Sequence, residues 1–303
     1  MIDGRWVLDG ESGVDAGGSW TRRPSVLKGR LGEGRLTPDP GRYRIYAAPN
    51  CPWAHRVLLV RAVLALQDAL PVTMAEPRRT DQGWVFAPGA EPVMSAAALH
   101  QIYAEGAPGY TGRVTVPVLL DQRTGALVSN DSADLTRMIG ETYGGGRLTP
   151  APLLPQIDQW NAVIHRDVNN GVYRAGFAES QAAYEVAALG VFGALDRLEG
   201  RLSASRWLCG DVLTEADLRL FPTLARFDAA YHYAFRLNLA RLTDYPALWA
   251  YAREIYQLPG VRETVFFDVY KRGYHSPSEK RNPLGIVPIG PRLADWDAPH
   301  GRG

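Results

Sequence analysis

The sequence predicts a mixed α/β domain followed by an all-helical domain. Its 303 residues leave room for about two domains of ordinary size. Short alternating and β-branched runs lie before residue 131, whereas a helical hydrophobic period prevails from about residue 150 to residue 260. The segment 144–150, which starts with three glycines and ends in proline, separates the two patterns and is typical of a linker.

The predicted domain boundaries follow these changes of pattern. Residues 1–41 are rich in Gly, Arg and Pro without a sustained period, and we expect an irregular extension that packs on a neighbouring segment. The α/β domain is assigned to 42–145 and the helical domain to 156–267. The remaining Pro- and Gly-rich residues, 268–303, are predicted to form a C-terminal tail that is ordered only where it packs.

Composition and charge exclude several classes of protein. Apolar residues make up 46% and charged residues 21%, which is typical of a globular chain and not of a disordered one. The net charge of +1 indicates neither a nucleic-acid partner nor an anionic membrane. We expect no signal peptide, because the N-terminus has no basic segment leading into an apolar core, and no membrane span, because the most apolar stretch, 57–66, is interrupted by Arg61. Two cysteines cannot form a disulfide framework, so a reducing, cytoplasmic setting is expected.

The elements of the first domain are predicted from alternation, helix formers and turn residues. In chain order they are a strand at 42–48, a helix at 52–67, a strand at 71–75, an insertion at 77–112 with one short helix near 95–103, strands at 114–121 and 125–130, and a helix at 131–143. Pro117 interrupts the third strand run, so it must mark a strand start, a turn or a cis bond. Either Asp131 or Ser132 is expected to cap the last helix.

The second domain carries two clear helix signals. Thr214-Glu215-Ala216-Asp217 resembles a capping box, with Asp in place of the usual Glu. A further helix is predicted at 245–257, ended by Pro259 and Gly260. One long helix is indicated by six residues that share a face: Tyr184, Ala188, Val191, Leu195, Leu198 and Leu202.

Cys51 is the strongest candidate for chemistry, because it lies where the first strand passes into a helix that begins with Pro52. The N–H groups of a helix start carry about half a positive charge, which stabilises a thiolate and lowers a thiol pKa from about 8.5. A reactive thiol is therefore favoured over the alternative, a buried structural cysteine. Position 54 is Ala, so no second cysteine there resolves a mixed disulfide and an external thiol is required.

The other candidate groups are weaker. His55, one turn after Cys51, is interpreted as a structural histidine, with a role as base for the thiol as the alternative. Cys209 lies among apolar residues and is assigned to the core. No metal is expected, since the six histidines form no H-x-x-x-H or H-E-x-x-H pair. No nucleotide is expected either, since Walker A and G-x-G-x-x-G motifs are absent from the sequence, as is the G-x-S-x-G of serine hydrolases.

Several sequence blocks together carry a family resemblance. They are C-P-W-A-H-R at 51–56, G-W-V-F at 83–86, G-R-V-T-V-P-V-L at 112–119, N-G-V-Y-R-A-G-F-A at 170–178, T-E-A-D-L-R-L-F at 214–221 and N-P-L-G-I-V-P-I-G-P at 282–291. In this order the blocks resemble the glutathionyl-hydroquinone reductases, also called xi-class glutathione transferases. The resemblance implies a thioredoxin-like N-terminal domain, an all-helical C-terminal domain, glutathione as co-substrate and a homodimer.

The resemblance also implies the thiol site. Cys51 is then the nucleophile, and glutathione is held by Trp84, Arg113, Val114, Thr115, Val116, Asp131 and Ser132. Elementary chemistry agrees with this assignment. A residue before a cis-proline, as Val116 would be, offers its backbone to an extended peptide, and Arg113 suits a carboxylate. Asp131 and Ser132, at a helix start, suit an α-amino and an α-carboxylate group.

Three tyrosines complete the implied site. Tyr173 matches the family's proton donor or acceptor, while Tyr231 and Tyr274 match hydroxyls that stabilise the thiolate. The tail containing Tyr274 is expected to pack near the active site. The sequence departs from the family's pattern at two places: Asp131 stands where Glu is usual, and His275 replaces the tyrosine after Tyr274. Because the resemblance places this tail at the border of the acceptor site, the departures concern which aromatic substrate and which thiol the protein binds.

The resulting hypothesis is a cytoplasmic enzyme that removes glutathione from glutathionyl-hydroquinones through a Cys51 mixed disulfide. Two alternatives stay open from the sequence. One is a related thiol transferase, of the dehalogenase or aryl-ether type or using a thiol other than glutathione. The other is a non-catalytic binding protein that kept a transferase fold, since fold does not determine function.

Overall fold

The chain forms two compact units in a computed structural model that describes residues 1–8, 13–21, 24–34, 36–292 and 294–302. The first unit comprises Met1–Glu11 and Pro24–Gly146. The second comprises Ser12–Arg23 and Arg147–Gly303. The change from one unit to the other therefore falls inside the glycine-rich linker, and a short part of the N-terminal extension groups with the helical residues.

The first unit contains a mixed four-stranded sheet. Its strands are β1 (Tyr43–Ala47), β2 (Val72–Met74), β3 (Val118–Asp121) and β4 (Leu127–Ser129). They lie in the order β2-β1-β3-β4, with β1 and β2 parallel and the other pairs antiparallel. Ile45 pairs with Val72 on one side and with Leu119 on the other, which places β1 in the sheet interior. All four strand predictions are confirmed in their order.

The helices of the first unit are α1 (Pro52–Val63), α2 (Leu99–Gly106) and α3 (Ser132–Gly144). The prediction that α1 continues to residue 67 is wrong. Ala65 adopts a positive φ of 54°, and the Leu66 N–H binds the Arg61 carbonyl, so the helix is terminated and the chain turns. The turn is needed because β2 must run parallel to β1, and a parallel pair requires a crossover connection.

The short helix of the insertion begins later than predicted, at Leu99 instead of Ser95. Ser95 has a positive φ of 55°, which a helix does not accept. The Gln101 side chain accepts the N–H groups of Ala97 and Ala98 and so closes the N-terminus of α2. Glu91 fixes the preceding loop, because its carboxylate accepts the buried Tyr46 hydroxyl at 2.7 Å and backbone N–H groups of the loop itself.

The helical unit contains seven α-helices within the described residues. They are α4 (Leu154–Val163), α5 (Gly171–Gly176), α6 (Gln181–Ala204), α7 (Glu215–Arg226), α8 (His232–Ala234), α9 (Pro246–Tyr256) and α10 (Phe267–Tyr274). The predicted capping box is confirmed, since the Asp217 carboxylate accepts the Thr214 N–H at 2.8 Å. Five of the six residues predicted to share a face of α6 are buried, and Tyr184 is half-buried instead.

The irregular N-terminal extension is tied down at several points. In the first unit, the Met1 amino group donates to the Gly112 carbonyl at 2.7 Å, and the Gly29 N–H donates to the carbonyl of Val128 in β4. In the helical unit, Trp20 is 7% exposed and packs against Phe177 with ring centroids 5.7 Å apart. The described residues of the extension are thus ordered by packing within each unit, and they form no helix or strand of their own.

Candidate active site

Cys51 lies at the N-cap position of α1, where the sequence predicts it. Its Sγ accepts the Ala54 N–H at 3.5 Å, so the sulfur faces the unpaired end of the helix. The thiol also donates to the Val116 carbonyl oxygen at 3.4 Å. A thiolate keeps the first of these contacts and gives up the second, because it has no proton to donate. The helix start therefore favours the charged form, and the Val116 carbonyl becomes free for another donor.

The segment 113–116 contacts Cys51 through Val116, its last residue, and is followed by Pro117. The Val116–Pro117 peptide bond is cis, and β3 begins at Val118. Pro117 thus both precedes a strand and forms a cis bond, two of the three roles left open by the sequence. Val114 and Val116 are buried, at 7% and 4% exposure, while the backbone carbonyls of Arg113 and Thr115 are each held by a tyrosine hydroxyl.

Asp131 caps α3, and Ser132 is the first residue of that helix. Asp131 Oδ1 accepts the N–H groups of Ala133 and Asp134, and Oδ2 accepts Lys28 Nζ at 2.6 Å. Burial alone raises the pKa of Asp131, but the Lys28 ammonium and the two N–H groups outweigh it and hold the pKa below its ordinary value. Asp131 is therefore a carboxylate at neutral pH, as an ammonium ligand requires.

Ser132 is held by a cation that the sequence reasoning missed. Arg56 of α1 is 2% exposed, and its Nη1 donates to Ser132 Oγ at 3.3 Å. The Arg56 guanidinium also stacks on the Trp53 ring, 4.5 Å from the ring centroid. A signal was present in the sequence, because Arg56 interrupts the apolar face of a helix that starts with the candidate nucleophile.

Trp84 lies in the insertion loop before α2 and is half-buried. Its carbonyl accepts the Leu99 N–H at 2.8 Å, and the Arg79 guanidinium lies 5.8 Å from its ring centroid. The preceding Gly83 has a φ of 71° and is packed against the ring of Trp6, so a side chain there is disfavoured by both conformation and space. These contacts fix the loop that presents Trp84.

The three tyrosines come together in the helical unit. Tyr173 Oη and Tyr274 Oη are 2.5 Å apart, and Tyr231 Oη lies 3.2 Å from Tyr274 Oη, which makes Tyr274 the central hydroxyl. Burial raises the pKa of Tyr231 and of Tyr274 well above the ordinary value of about 10, so both are neutral hydroxyls near pH 7. A chain of neutral hydroxyls is suited to donating and relaying a proton.

A buried cation accompanies the tyrosines, and sequence reasoning missed it as well. Arg226, at the end of α7, is fully buried, and its guanidinium lies 3.7 Å from the centroid of the Tyr270 ring. Burial disfavours its charge, yet its interaction with the tyrosines keeps the pKa above its ordinary value. The positive charge in turn partly offsets the effect of burial on Tyr231 and Tyr274. A lone arginine in the apolar run 220–227 was the available signal.

The remaining candidates are located as follows. Cys209 is 4% exposed, which confirms its assignment to the core, and burial raises the pKa of its thiol. His55 is 1% exposed within α1. Among the residues that the structure describes, no group of three or more His, Cys, Asp or Glu side chains is arranged to hold a metal ion. In the same residues, no helix is both long and apolar enough to cross a membrane.

Comparison with known proteins identifies the family. The family models of the glutathione S-transferase N-terminal and C-terminal domains match residues 50–142 and 181–254. The chain is 40% identical to the glutathionyl-hydroquinone reductase PcpF of Sphingobium chlorophenolicum, over 96% of each chain. The glutathione transferase Xi of Phanerochaete chrysosporium has a structure that matches with a TM-score of 0.87 at 38% identity, covering 92% of this chain and 95% of that one.

The chain belongs to the xi class of the glutathione transferases. A further relative, the Escherichia coli glutathionyl-hydroquinone reductase YqjG, is 40% identical over 100% of this chain and 98% of its own length. Its glutathione-bound structure matches with a TM-score of 0.89 and 38% identity, covering 100% of this chain and 98% of that one. The mixed sheet with its helices is thus the thioredoxin-like N-terminal domain of this xi-class transferase, and the helical unit is its C-terminal domain.

Proposed function

We propose that this xi-class transferase is a glutathione-dependent reductase that removes glutathione from glutathionyl-hydroquinones. The observation that carries the proposal is the position of Cys51 at the start of α1. Its sulfur accepts a hydrogen bond from the Ala54 N–H and lies 3.4 Å from the Val116 carbonyl oxygen. The names of the relatives from Sphingobium chlorophenolicum and Escherichia coli support the same reaction.

In the first half-reaction, the Cys51 thiolate attacks the sulfur of the glutathionyl thioether. An S–S bond forms, the bond between carbon and sulfur breaks, and its electron pair passes to the aromatic carbon. That carbon takes a proton from Tyr173, whose hydroxyl is 2.5 Å from that of Tyr274. The hydroquinone leaves, reduced by two electrons, and Cys51 remains in a mixed disulfide with glutathione.

In the second half-reaction, a glutathione thiolate attacks the glutathionyl sulfur of the mixed disulfide. Cys51 leaves as a thiolate, and glutathione disulfide is released. The two electrons come from the glutathionyl sulfur of the substrate and from the second glutathione, whose thiol proton replaces the one that Tyr173 gave up. Ala54 makes an external thiol necessary, because no cysteine stands one turn after Cys51. The cytoplasm, where glutathione is kept reduced, is the compartment that this chemistry requires.

Glutathione binding is assigned to the first unit. Val116 offers its backbone beside the reactive sulfur, while Asp131 and Ser132 offer a carboxylate, a hydroxyl and a helix N-terminus to the γ-glutamyl end. Trp84, Arg113, Val114 and Thr115 complete the set. We assign the aromatic substrate to the tyrosines and propose that the enzyme acts as a homodimer.

The deciding experiment replaces Cys51 with Ala and measures the reduction of a glutathionyl-hydroquinone. We expect turnover to fall by at least about 10³-fold, because no other group supplies the sulfur nucleophile. Cys209→Ala is the matched control, since it removes the other cysteine from the core and leaves Cys51 in place. Its turnover is expected to stay near that of the unaltered enzyme at a temperature where it is folded.

Intact-mass spectrometry provides the second measurement. After incubation with substrate and without free glutathione, the enzyme and its Cys209→Ala variant should each gain one glutathione, and the Cys51→Ala variant none. Full activity of Cys51→Ala, or an adduct on Cys209 alone, contradicts the mixed-disulfide mechanism. A separate incubation with the disulfides of several low-molecular-weight thiols tests the co-substrate, and an adduct of another thiol in preference to glutathione shows that the enzyme uses that thiol.

A further inference from the structure

A buried polar cluster contacts the segment 113–116 from the side of α2 and β4. Its members are Tyr103, which is fully buried, Tyr110, which is 7% exposed, and Asn130, which is 4% exposed. Neither the family resemblance nor the sequence patterns assign these residues a role. Buried polar groups are retained where their hydrogen bonds are satisfied, so the partners of this cluster show what it holds in place.

The Asn130 amide is the donor at the start of two chains of hydrogen bonds, and the Thr115 N–H adds a bond back to Tyr103 Oη at 3.4 Å. Asn130 Nδ2 donates to the hydroxyl oxygens of Tyr103, at 3.2 Å, and of Tyr110, at 3.4 Å. Each tyrosine then uses its own proton to donate to a backbone carbonyl, with Oη to O distances of 2.8 Å to Thr115 and 2.8 Å to Arg113. One amide group thereby orients two hydroxyls and, through them, two peptide units of the proposed glutathione-binding segment.

The orientation of the Asn130 amide is itself fixed. Its Oδ1 accepts the Leu27 N–H at 3.3 Å, and this N–H is a donor only, so the amide nitrogen must face the tyrosines. The Asn130 carbonyl accepts the Ser25 hydroxyl at 3.1 Å. The residue that follows is Asp131, the cap of α3. Asn130 therefore joins the extension, the N-terminus of α3 and the segment 113–116.

The neighbouring Gly112 leaves the space that this arrangement needs. A Cβ at position 112 would lie 2.7 Å from the Tyr110 hydroxyl oxygen, closer than real Cβ atoms approach. Glycine thus lets the hydroxyl reach the Arg113 carbonyl. The close approach is a second sign that the chain is built around this contact.

We propose that Asn130 is a positioning residue for glutathione binding, acting through Tyr103 and Tyr110 on the backbone of residues 113–116. The inference rests on the proposed function, which assigns that segment to glutathione. Asn130 does not touch the substrate. Through the two tyrosines it holds the Arg113 and Thr115 carbonyls, and Thr115 directly precedes Val116, whose carbonyl accepts the Cys51 thiol.

The sharpest variant is Asn130→Asp, which keeps the size and removes the donor. A carboxylate only accepts hydrogen bonds, so both tyrosine hydroxyls turn to donate to it and release the Arg113 and Thr115 carbonyls. We expect the glutathione Kd, measured by calorimetry in a Cys51→Ser background, to rise about tenfold, which corresponds to about 1.4 kcal/mol. In the enzyme with Cys51, KM is expected to rise more than kcat falls.

Asn169→Asp is the matched control. Asn169 is also 4% exposed, and its Nδ2 also donates twice, to Thr223 Oγ1 at 2.7 Å and to the Arg219 carbonyl at 3.2 Å, but it lies in the helical unit. A general effect of a buried negative charge appears in both variants. We expect the glutathione Kd of Asn169→Asp to stay within about twofold of the unaltered protein.

Amide hydrogen exchange reads the positioning without substrate. Asn130→Asp should speed exchange across 113–116, and Asn169→Asp should not. If Asn130→Asp does not fold, Tyr103→Phe and Tyr110→Phe decide, each removing one link. Unchanged Kd and unchanged exchange overturn the inference. Faster exchange at 113–116 in a chain that binds no glutathione supports the positioning role and contradicts the proposed function instead.

Discussion

The Tyr274 hydroxyl joins those of Tyr173 and Tyr231 into a chain, and its contact with Tyr173 is the shorter one, at 2.5 Å. The mechanism proposed above takes a proton from Tyr173, which leaves a negative oxygen. Tyr274 stabilises that oxygen by donating to it, and burial keeps Tyr274 protonated because it raises its pKa. Tyr274 is therefore expected to matter for kcat more than for glutathione affinity.

Replacing Tyr274 with Phe tests this role. We expect kcat to fall by about 10²-fold, within the usual contribution of a positioned proton donor, while the glutathione Kd stays within about twofold. Tyr233→Phe is the control, because Tyr233 is 55% exposed and belongs to the same unit. An unchanged kcat in Tyr274→Phe contradicts the relay.

The same variant has a defined pH signature. The folded pKa values of Tyr231 and Tyr274 are raised, so their contribution to the free energy of unfolding is fully present below the unfolded value of about 10. It is lost as the pH rises above that value, because the unfolded chain ionises first. Thermal unfolding between pH 8 and 11 should show a steeper alkaline loss of stability for the unaltered protein than for Tyr274→Phe.

At the level of elements, α5 presents Tyr173 and is held by close packing on Phe235. Gly176, its last residue, has no room for a side chain, because a Cβ would overlap the Phe235 ring. Phe235 also packs edge-on against Tyr173 and Tyr274, with ring centroids 5.4 Å apart in each pair, and stacks on Tyr231 at 5.1 Å. The missing side chain at Gly176 thus allows the aromatic packing that orients all three tyrosine rings.

Gly176→Ala should lower the free energy of unfolding by about 2 kcal/mol, the usual cost of overpacking, and reduce kcat by moving the Phe235 ring. Gly190→Ala is the control, since Gly190 lies in the exposed part of α6 with open space around it. There the change should raise stability by about 0.5–1 kcal/mol through helix propensity. Denaturant unfolding measures both, and equal effects in the two variants would contradict the packing argument.

The elements were predictable to different degrees. The strands, the α3 cap and the α7 capping box follow from local chemistry, namely alternation and side chains that accept helix N–H groups. The end of α1 did not follow, because good helix formers continue to Gln67 and only the return to β2 imposes the positive φ at Ala65. The beginning of α2 was also predicted too early, because Ser95 has a positive φ and the Gln101 side chain closes the helix at the N–H groups of Ala97 and Ala98.

At the level of the whole molecule, the proposed homodimer is the property open to direct measurement. The described part of the tail exposes large apolar side chains, with Leu284 at 81% and Ile289 at 98% exposure. Ile286, between them in the sequence, is also 65% exposed. We propose these exposed apolar side chains as part of the dimer interface, since large exposed apolar surface is typical of interaction sites.

Sedimentation equilibrium at micromolar concentration should therefore give twice the mass of the chain. Leu284→Ser combined with Ile289→Ser is expected to weaken the dimer if the tail takes part, and Val186→Ser, at a 76% exposed position of α6, serves as the control for lost surface apolarity. A single species of chain mass at every concentration contradicts the homodimer.

The sequence alone determined the two-part architecture, the position of Cys51, the proposed nucleophile, at a helix start, and the family. Hydrophobic period, proline at a helix start and an uncommon run such as C-P-W-A-H-R are local properties, so they can be read without a fold. Only the tertiary structure decided which distant groups meet. Asn130 meets Tyr103 and Tyr110 across 27 and 20 positions of sequence, and Arg56 meets Ser132 across 76. The three tyrosine hydroxyls come together across up to 101 positions. Such pairings depend on packing, because burial makes an unsatisfied polar group costly and selects its partner wherever the chain brings one close.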